Sequence, residues 1–406
     1  MTVKVKKLIA PSLFILVLMV SVGPFGDTEY TPSLPRIARE LGVAYNLVQV
    51  TMTSYLLGYA VSQLFWGPLS DRFGRKPIML AGAATFILGS LVCVTSFDIW
   101  QLIGGRFVQA IGACAGGVIS SAAVRDAFSE QERGHVFAKV NAAFAVAPGI
   151  GPIVGSFVDH AYGWHANFLI LLVLSIILFI SVWLFFPETN LKKAADALKP
   201  KVLFHNYAVL FRDPYYLAYI VPMGFAIGIV YSALIGAPDL VINILHQPSY
   251  VVVVIALGVL IGFVAGSLIC NFLAGRYQNN TLIVTGLLIM LAGSLLLSLS
   301  SYVGLMTTHL SASIIPIMVI FSGIAFVIPV ATAEALAPFE HVAGSASAML
   351  GFFEMGLASA STGVMSSIPL DSAYSMPIVF TGLSVLGLLV FVPFIMMRKN
   401  RARAII

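Results

Sequence analysis

The sequence predicts an all-α membrane protein with twelve transmembrane helices. Its 406 residues are 59% hydrophobic and only 10% charged, whereas charged residues make up about 25% of an ordinary soluble domain. The apolar residues fall into twelve runs of about 20 residues, the length that an α-helix needs to cross the hydrocarbon core of a bilayer. Basic residues concentrate in alternate connections between these runs, which is typical of cytoplasmic loops.

We place the twelve spans at residues 8–33, 46–67, 77–96, 100–122, 136–158, 165–186, 214–238, 250–273, 281–301, 311–333, 343–365 and 374–397. The first run is interpreted as a retained helix, because it is longer than the apolar region of a signal peptide. An even number of spans places both basic termini on the cytoplasmic side. In this layout only Arg36 and Arg39 fall outside and Arg106 falls within a span, so the other lysines and arginines are cytoplasmic.

The longest polar connection divides the chain into two sets of six spans. We predict an N-terminal half at 1–187, a cytoplasmic linker at 188–213 and a C-terminal half at 214–406. A faint internal repeat supports this division, because LAGRY at 273–277, after the eighth span, echoes LSDRF at 69–73, after the second. Such a repeat is typical of transporters built from two related halves.

A tight charged turn is predicted at 67–77, between the second and third spans, with its charges in water at the cytoplasmic face of the membrane. The residues of this turn that carry the argument are Gly67, Asp71, Arg72, Gly74, Arg75 and Lys76. A loop that only fixed topology would need the basic residues, but not two glycines and an aspartate at these offsets. The stretch resembles the G-x-x-x-D-R-x-G-R-K/R signature of the major facilitator superfamily. The resemblance covers nearly the whole chain and implies that fold, with Asp71 latching onto the positive N-terminus of the eleventh helix.

Small residues mark the fifth and eighth spans. The fifth carries Gly151, Pro152 and Gly155, and the eighth carries Gly258, Gly262 and Gly266. Small residues let helices in lipid approach closely, so ordinary tight packing is one interpretation. The fifth span also resembles the antiporter signature G-x-x-x-G-P-x-x-G-G of the same superfamily. That resemblance implies a hinge or seal between the halves rather than a substrate site.

The fourth span contains an arginine, which is costly in lipid unless it is paired or hydrated. Arg106 begins a run that resembles the family motif R-x-x-Q-G-x-G, and Gln109 lies one turn away on the same helix face. Asp27 and Glu29 end the first span at a matching depth, about 200° apart on a helix, so they cannot both face one partner. A snorkelling arginine, and acids that only mark the water edge, are the alternatives.

Two further observations concern proton coupling. The end of the first span resembles that of the Bcr/CflA branch of drug:proton antiporters, whose usual aspartate position is Thr28 here. Glu354 lies near the middle of the eleventh span, where a carboxyl group without a cation favours its neutral form. Such a group can load and release a proton. A protonated acid in a structural hydrogen bond between helices is the alternative interpretation.

The resemblance implies a proton-coupled antiporter of a bacterial inner membrane that exports small hydrophobic or cationic compounds, as in multidrug efflux. The proton-coupling candidates are Asp27, Glu29 and Glu354, with Arg106 and Gln109 as charge partners. Aromatic residues that could line a cavity for bulky substrates are Tyr30, Tyr55, Tyr59, Phe144, Phe225, Tyr231 and Phe353.

Two alternatives stay open at this point: a dedicated exporter or importer of one metabolite or siderophore on the same fold, and a transporter-like receptor. We expect no enzyme activity, cofactor, metal or nucleic-acid partner, because the sequence lacks a nucleotide-binding loop, a metal-ligand cluster and a soluble domain. The expected partners are a small-molecule substrate, protons and the bilayer, and the chain is expected to act as a monomer.

Overall fold

The computed structural model describes residues 10–191, 193, 207–369 and 371–403. Its helices are α1 (Leu13–Thr28), α2 (Leu34–Leu41), α3 (Tyr45–Phe73), α4 (Arg75–Val94), α5 (Ile99–Ala127), α6 (Glu130–Tyr162), α7 (Trp164–Phe185), α8 (Pro214–Asp239), α9 (Val252–Leu273), α10 (Asn279–Tyr302), α11 (Ser311–Leu336), α12 (Ala343–Ser367) and α13 (Ser372–Arg403). A helix occupies each of the twelve predicted spans, and α2 follows directly after the first span. The all-α class is therefore confirmed.

Two of the long helices fall short of the hydropathy of a typical membrane span. Within the described residues, ten segments combine the length and hydropathy of a membrane span, and α3 and α12 are not among them. At 29 and 25 residues, both are still long enough to cross a bilayer. Their polar groups bond to each other: Thr53 Oγ1 donates to Thr362 Oγ1 at 2.9 Å, and Ser359 Oγ donates to the Thr53 carbonyl at 2.9 Å.

The described residues form two compact units. The first unit comprises those of Met1–Tyr30 and Val61–His205, and the second comprises those of Thr31–Ala60 and Asn206–Ile406. The later change of unit falls within the predicted linker, most of which lies outside the described residues. The predicted N-terminal half, 1–187, includes residues 31–60, whereas the second unit contains them in the structure. The division into halves at 1–187 and 214–406 stays a prediction.

The first span is longer and more broken than predicted. Helix α1 ends at Thr28, a 3-10 turn covers Thr31–Ser33, and α2 then continues to Leu41. Pro32 and Pro35 lack a backbone N–H, so they interrupt a continuous α-helix but are tolerated in a first turn. Gly42, at φ 64°, ends α2 in the left-handed region.

The charged turn is much shorter than the predicted 67–77 stretch. Helix α3 passes through Pro68 and ends at Phe73, and α4 begins at Arg75. Only Gly74 leaves the helical path, at φ 109°, a conformation that glycine adopts without a steric penalty. The predicted tight turn is therefore confined to Gly74, and most of the motif is helical.

Candidate functional site

Arg106 lies on α5, in the interior of the first unit. Its side chain is fully buried, and its Nη1 donates to the Gly26 carbonyl at 2.9 Å and to Oε1 of Gln109. Gln109 in turn donates through Nε2 to Ser90 Oγ at 2.8 Å. Because the guanidinium is held by partners inside the helix bundle, the alternative of a snorkelling arginine is wrong.

Aromatic rings cover the same guanidinium. The Arg106 Cζ lies 4.2 Å from the Tyr30 ring centroid and 5.8 Å from the Phe168 centroid, within the range of cation–π attraction. The two rings also contact each other, with centroids 5.5 Å apart. Tyr30 is fully buried, so this predicted cavity residue packs on the arginine.

The two acids of the first span are both buried. Asp27 is 4% exposed and Glu29 is 0% exposed, so neither marks the water edge. Both carboxylate oxygens of Glu29 lack a hydrogen-bond partner among the described residues. The positive charge that acts on this carboxyl group is Arg106. A buried carboxylate without donors is costly when ionised, so the charge state of Glu29 depends on the nearby arginine and on protons.

The small face of α6 packs directly against the end of α1. A Cβ atom at Gly151 would overlap Oγ1 of Thr28, and one at Gly155 would overlap the carbonyl oxygen of Glu29. Pro152 lies between the two glycines within the helix. The absence of side chains at these two positions therefore fixes how closely the Glu29 backbone approaches α6. This contact was not predicted from the sequence.

The glycines of α9 have an equivalent arrangement within the second unit. Added Cβ atoms would meet Ile314 at Gly258, the Met318 backbone at Gly262 and the Ser322 backbone at Gly266. These three contacts all lie on α11. Each glycine face thus has a partner helix in its own unit, and the predicted seal between the halves stays a prediction.

Arg75 organises the charged motif at the start of α4. Only 7% of the residue is exposed. Its Nη1 donates to Asp71 Oδ1 at 2.6 Å and to Ser70 Oγ at 2.6 Å, and its Nε donates to Asp126 Oδ2 at 2.9 Å. The expectation that all charges of this motif lie in water is therefore wrong for Arg75. The predicted latch of Asp71 on the eleventh span stays a prediction.

Glu188 caps the N-terminus of α4. Its carboxylate oxygens accept the backbone N–H of Arg75 at 2.8 Å and of Lys76 at 3.2 Å, where the helix dipole favours a negative charge. A Cβ atom at Gly74 would overlap this carboxylate. Sequence analysis missed Asp126 and Glu188 as motif partners. The sequence did contain a signal for Glu188, because it is an acid that follows the apolar run of the sixth span by two residues.

The remaining predicted residues differ in their burial. Glu354 is half-buried at the middle of α12. Tyr55 and Tyr59 are buried on α3, Phe144 is 38% exposed on α6, Phe225 and Tyr231 are half-buried on α8, and Phe353 stacks on Phe211 with centroids 5.6 Å apart. Gly67 is half-buried on α3, and Arg72 covers the Phe73 ring at 5.4 Å.

Comparison with known proteins identifies the class. The family model described as the Major Facilitator Superfamily matches residues 13–363, and the chain belongs to this superfamily of membrane transporters. The resemblance found in the charged motif is thereby confirmed. The chain also aligns with the structure of the xylose transporter XylE from E. coli, at a TM-score of 0.71 and 13% identity over 94% of this chain and 96% of that one; this likeness shows the fold.

Two relatives narrow the class further. Multidrug resistance protein D of Escherichia coli (strain K12) is 30% identical over 368 residues, which cover 88% of this chain and 87% of that protein. A bicyclomycin resistance protein homolog of Haemophilus influenzae is 29% identical over 391 residues, which cover 91% of this chain and 93% of that protein. These relatives confirm the expected relationship of the chain to the drug:proton antiporter branch.

Proposed function

We propose that this chain is a proton-coupled antiporter that exports small hydrophobic or cationic compounds. The relatives carry names of drug-resistance proteins, which supports export of this kind of compound. The observation that carries the proposal is the buried Glu29 carboxyl group, which lacks hydrogen-bond partners among the described residues and is acted on by Arg106. An ionisable group at such a site inside a membrane protein is characteristic of proton pathways.

The mechanism follows from the charge balance around Arg106. When Glu29 is ionised, its attraction to the guanidinium offsets part of the cost of burying both charges. A proton from outside neutralises Glu29 and removes that attraction, while Arg106 keeps its bonds to Gly26 and Gln109. The two protonation states therefore favour different arrangements of α1 and α5. The substrate cation favours one of these states and the proton favours the other. The two therefore cross the membrane in opposite directions.

We assign the coupling role to Glu29 and Glu354. Glu29 is supported by its burial and by the charge of Arg106. Glu354 is supported by its position at the middle of α12 and by its partial accessibility, which an acid needs in order to exchange protons. Asp27 lies on the same first span, and it is the acid that we expect to act as a bystander in proton transfer.

Efflux assays in everted membrane vesicles test this function. We expect vesicles that contain the protein to accumulate ethidium when a pH gradient is imposed, and an uncoupler to abolish the accumulation. The control is the Glu29→Gln plus Glu354→Gln double variant, expressed at the same level, which should show no gradient-driven accumulation. Accumulation that persists in this variant or with the uncoupler would contradict proton coupling, and a protein that accumulates no cation would contradict the substrate class.

The proposed location is a bacterial inner membrane with both termini in the cytoplasm. The basic residues of the predicted cytoplasmic connections support this orientation. Reporter fusions placed after Arg403 and within residues 188–213 should both give a cytoplasmic signal. A periplasmic signal at either position would overturn the twelve-span orientation.

A further inference from the structure

A cavity of about 280 Å³ lies in the second unit, at the ends of α3, α8 and α13. Residues of the predicted transport mechanism do not line it. The lining residues are Tyr45, Asn46, Gln49, Asp239, Ile368, Pro369, Asp371 and Ser372. Two carboxyl groups, two amides and one phenol therefore share one space with two apolar side chains.

The two carboxyl groups are held in place by the start of α13. Asp239 is 6% exposed, and its oxygens accept Nδ2 of Asn243 at 2.7 Å and the backbone N–H of Ser372 at 3.1 Å. Asp371 accepts hydrogen bonds from the backbone N–H groups of Ala373 and Tyr374. Both acids are thus oriented before any ligand arrives, which lowers the cost of binding.

The lining residues from α3 are also held by hydrogen bonds. The Tyr45 hydroxyl donates to the Ile235 carbonyl at 2.5 Å, and Gln49 Nε2 donates to the same oxygen at 3.4 Å. Gln49 is 3% exposed. One of the two N–H groups of this amide is used by Ile235, and the amide oxygen is the atom that can accept a hydrogen bond from a cation.

The lining residues carry two negative charges and no lysine, arginine or histidine. Asp371 is exposed, but partial desolvation, and then the negative charge of Asp239, raise its pKa, while the hydrogen bonds from Ala373 and Tyr374 oppose this rise. A cation would relieve the repulsion between the two carboxylates. The described residues include no group of three or more His, Cys, Asp or Glu that could hold a metal ion, and Ile368 and Pro369 form an apolar wall. These features favour an organic cation over a metal.

We propose that this cavity is a binding site for a small organic cation with an ammonium or guanidinium head and a short alkyl chain. The head is bound by the carboxylates of Asp239 and Asp371 and by the Gln49 amide oxygen. The alkyl chain lies against Ile368 and Pro369. Neither Arg106 nor Glu29 lines this site, and its occupancy bridges the ends of α3, α8 and α13.

Binding to the purified full-length protein tests this site directly. Calorimetric titration with butylguanidinium should give saturable binding, whereas the uncharged analogue butanol should give none. Asp371→Asn and Asp239→Asn should each weaken binding at least about tenfold, which corresponds to about 1.4 kcal/mol. Because asparagine is a good N-cap residue, Asp371→Asn should leave the thermal unfolding temperature close to that of the wild type.

The matched control is Asp98→Asn. Asp98 also caps a membrane helix, accepting the backbone N–H groups of Trp100 at 2.8 Å and Gln101 at 2.9 Å, but it does not line the cavity. This variant should bind butylguanidinium like the wild type. Absence of saturable binding to the wild type, or equal weakening in the Asp98 and Asp371 variants, would overturn the proposal.

The pH dependence of binding gives a second test. Asp371 shares the cavity with the titratable groups Asp239 and Tyr45. Since the pKa of Asp371 is raised, it takes up a proton earlier than an ordinary aspartate as the pH falls, and the affinity for butylguanidinium should fall with it. Asp371→Asn should flatten this pH dependence. A wild-type affinity that rises or stays constant on acidification would contradict the role of the carboxylates.

A cation of this kind has two possible origins: it is either a compound that the protein exports or a cation of the external medium. In proteoliposomes, butylguanidinium that acts as cargo should be transported, and Asp371→Asn should slow its transport. If it acts as an external ligand, it should change ethidium transport from one side only without crossing. The binding measurement uses no proton gradient. Butylguanidinium binding can therefore be absent when proton-driven export is observed, and it can be present when proton-driven export is not observed.

Discussion

Replacement of Arg106 by glutamine is expected to lower proton-driven export at least about tenfold, equivalent to about 1.4 kcal/mol in the barrier. The arginine is fully buried and supplies the positive charge that acts on Glu29. Without it, the buried carboxyl group has no opposing charge and favours its neutral form throughout the cycle. A group that cannot lose its proton cannot couple proton movement to export.

The effect can be separated from loss of the folded protein. Arg106→Lys keeps the charge but loses the planar set of donors that reaches Gly26 and Gln109 together, so partial export is expected. Arg36→Gln is the matched control, because it removes an arginine from an exposed pair with Glu40, and such pairs contribute only about 0–1 kcal/mol. Export by Arg106→Gln at the wild-type rate would exclude the arginine from coupling.

Leucine at Gly155 is the second substitution with a large expected effect. A Cβ atom there would overlap the Glu29 carbonyl oxygen, so either α1 or α6 must move. Overpacking of this kind typically costs about 1–3 kcal/mol. We expect the variant to be produced in the membrane but to have lost proton-driven ethidium efflux, because the displaced backbone carries the proposed coupling acid.

Gly149→Leu provides the control on the same helix. Nothing lies within 4 Å of a Cβ atom at Gly149, so leucine at this position should leave efflux near the wild-type rate. Gly151→Leu should behave like Gly155→Leu, because a Cβ atom there would overlap Thr28. Equal efflux by the Gly149 and Gly155 variants would show that the close approach of α6 to α1 has no role in transport.

The sequence predicted the fold well, because a bilayer restricts a spanning chain to helices with satisfied backbone groups. The lengths of the apolar runs predicted a helix at each of the twelve spans, although α3 and α12 are more polar than a typical membrane span. Helix ends were less predictable: Pro68 did not end α3, since a proline within a transmembrane helix is tolerated when neighbouring groups compensate. The prolines at the end of the first span, in contrast, did interrupt the helix.

Contacts of the candidate site were only partly predictable. The spacing of Arg106 and Gln109 predicted a shared helix face, and the structure joins them by a hydrogen bond. The packing of Gly155 on Glu29 joins residues far apart in the chain, and one sequence carries no signal for such a pair. Burial of Arg75 was missed for the same reason, since Asp126, one of its partners, lies on a different helix.

Proton release on substrate binding tests the central claim most directly. Purified wild-type protein should release protons when it binds ethidium at neutral pH, measured with a pH indicator in weakly buffered solution. Glu29→Gln and Glu354→Gln should each reduce the release, and Asp27→Asn should leave it unchanged. If all three single variants release as many protons as the wild type, the coupling site lies elsewhere and the proposed mechanism is wrong.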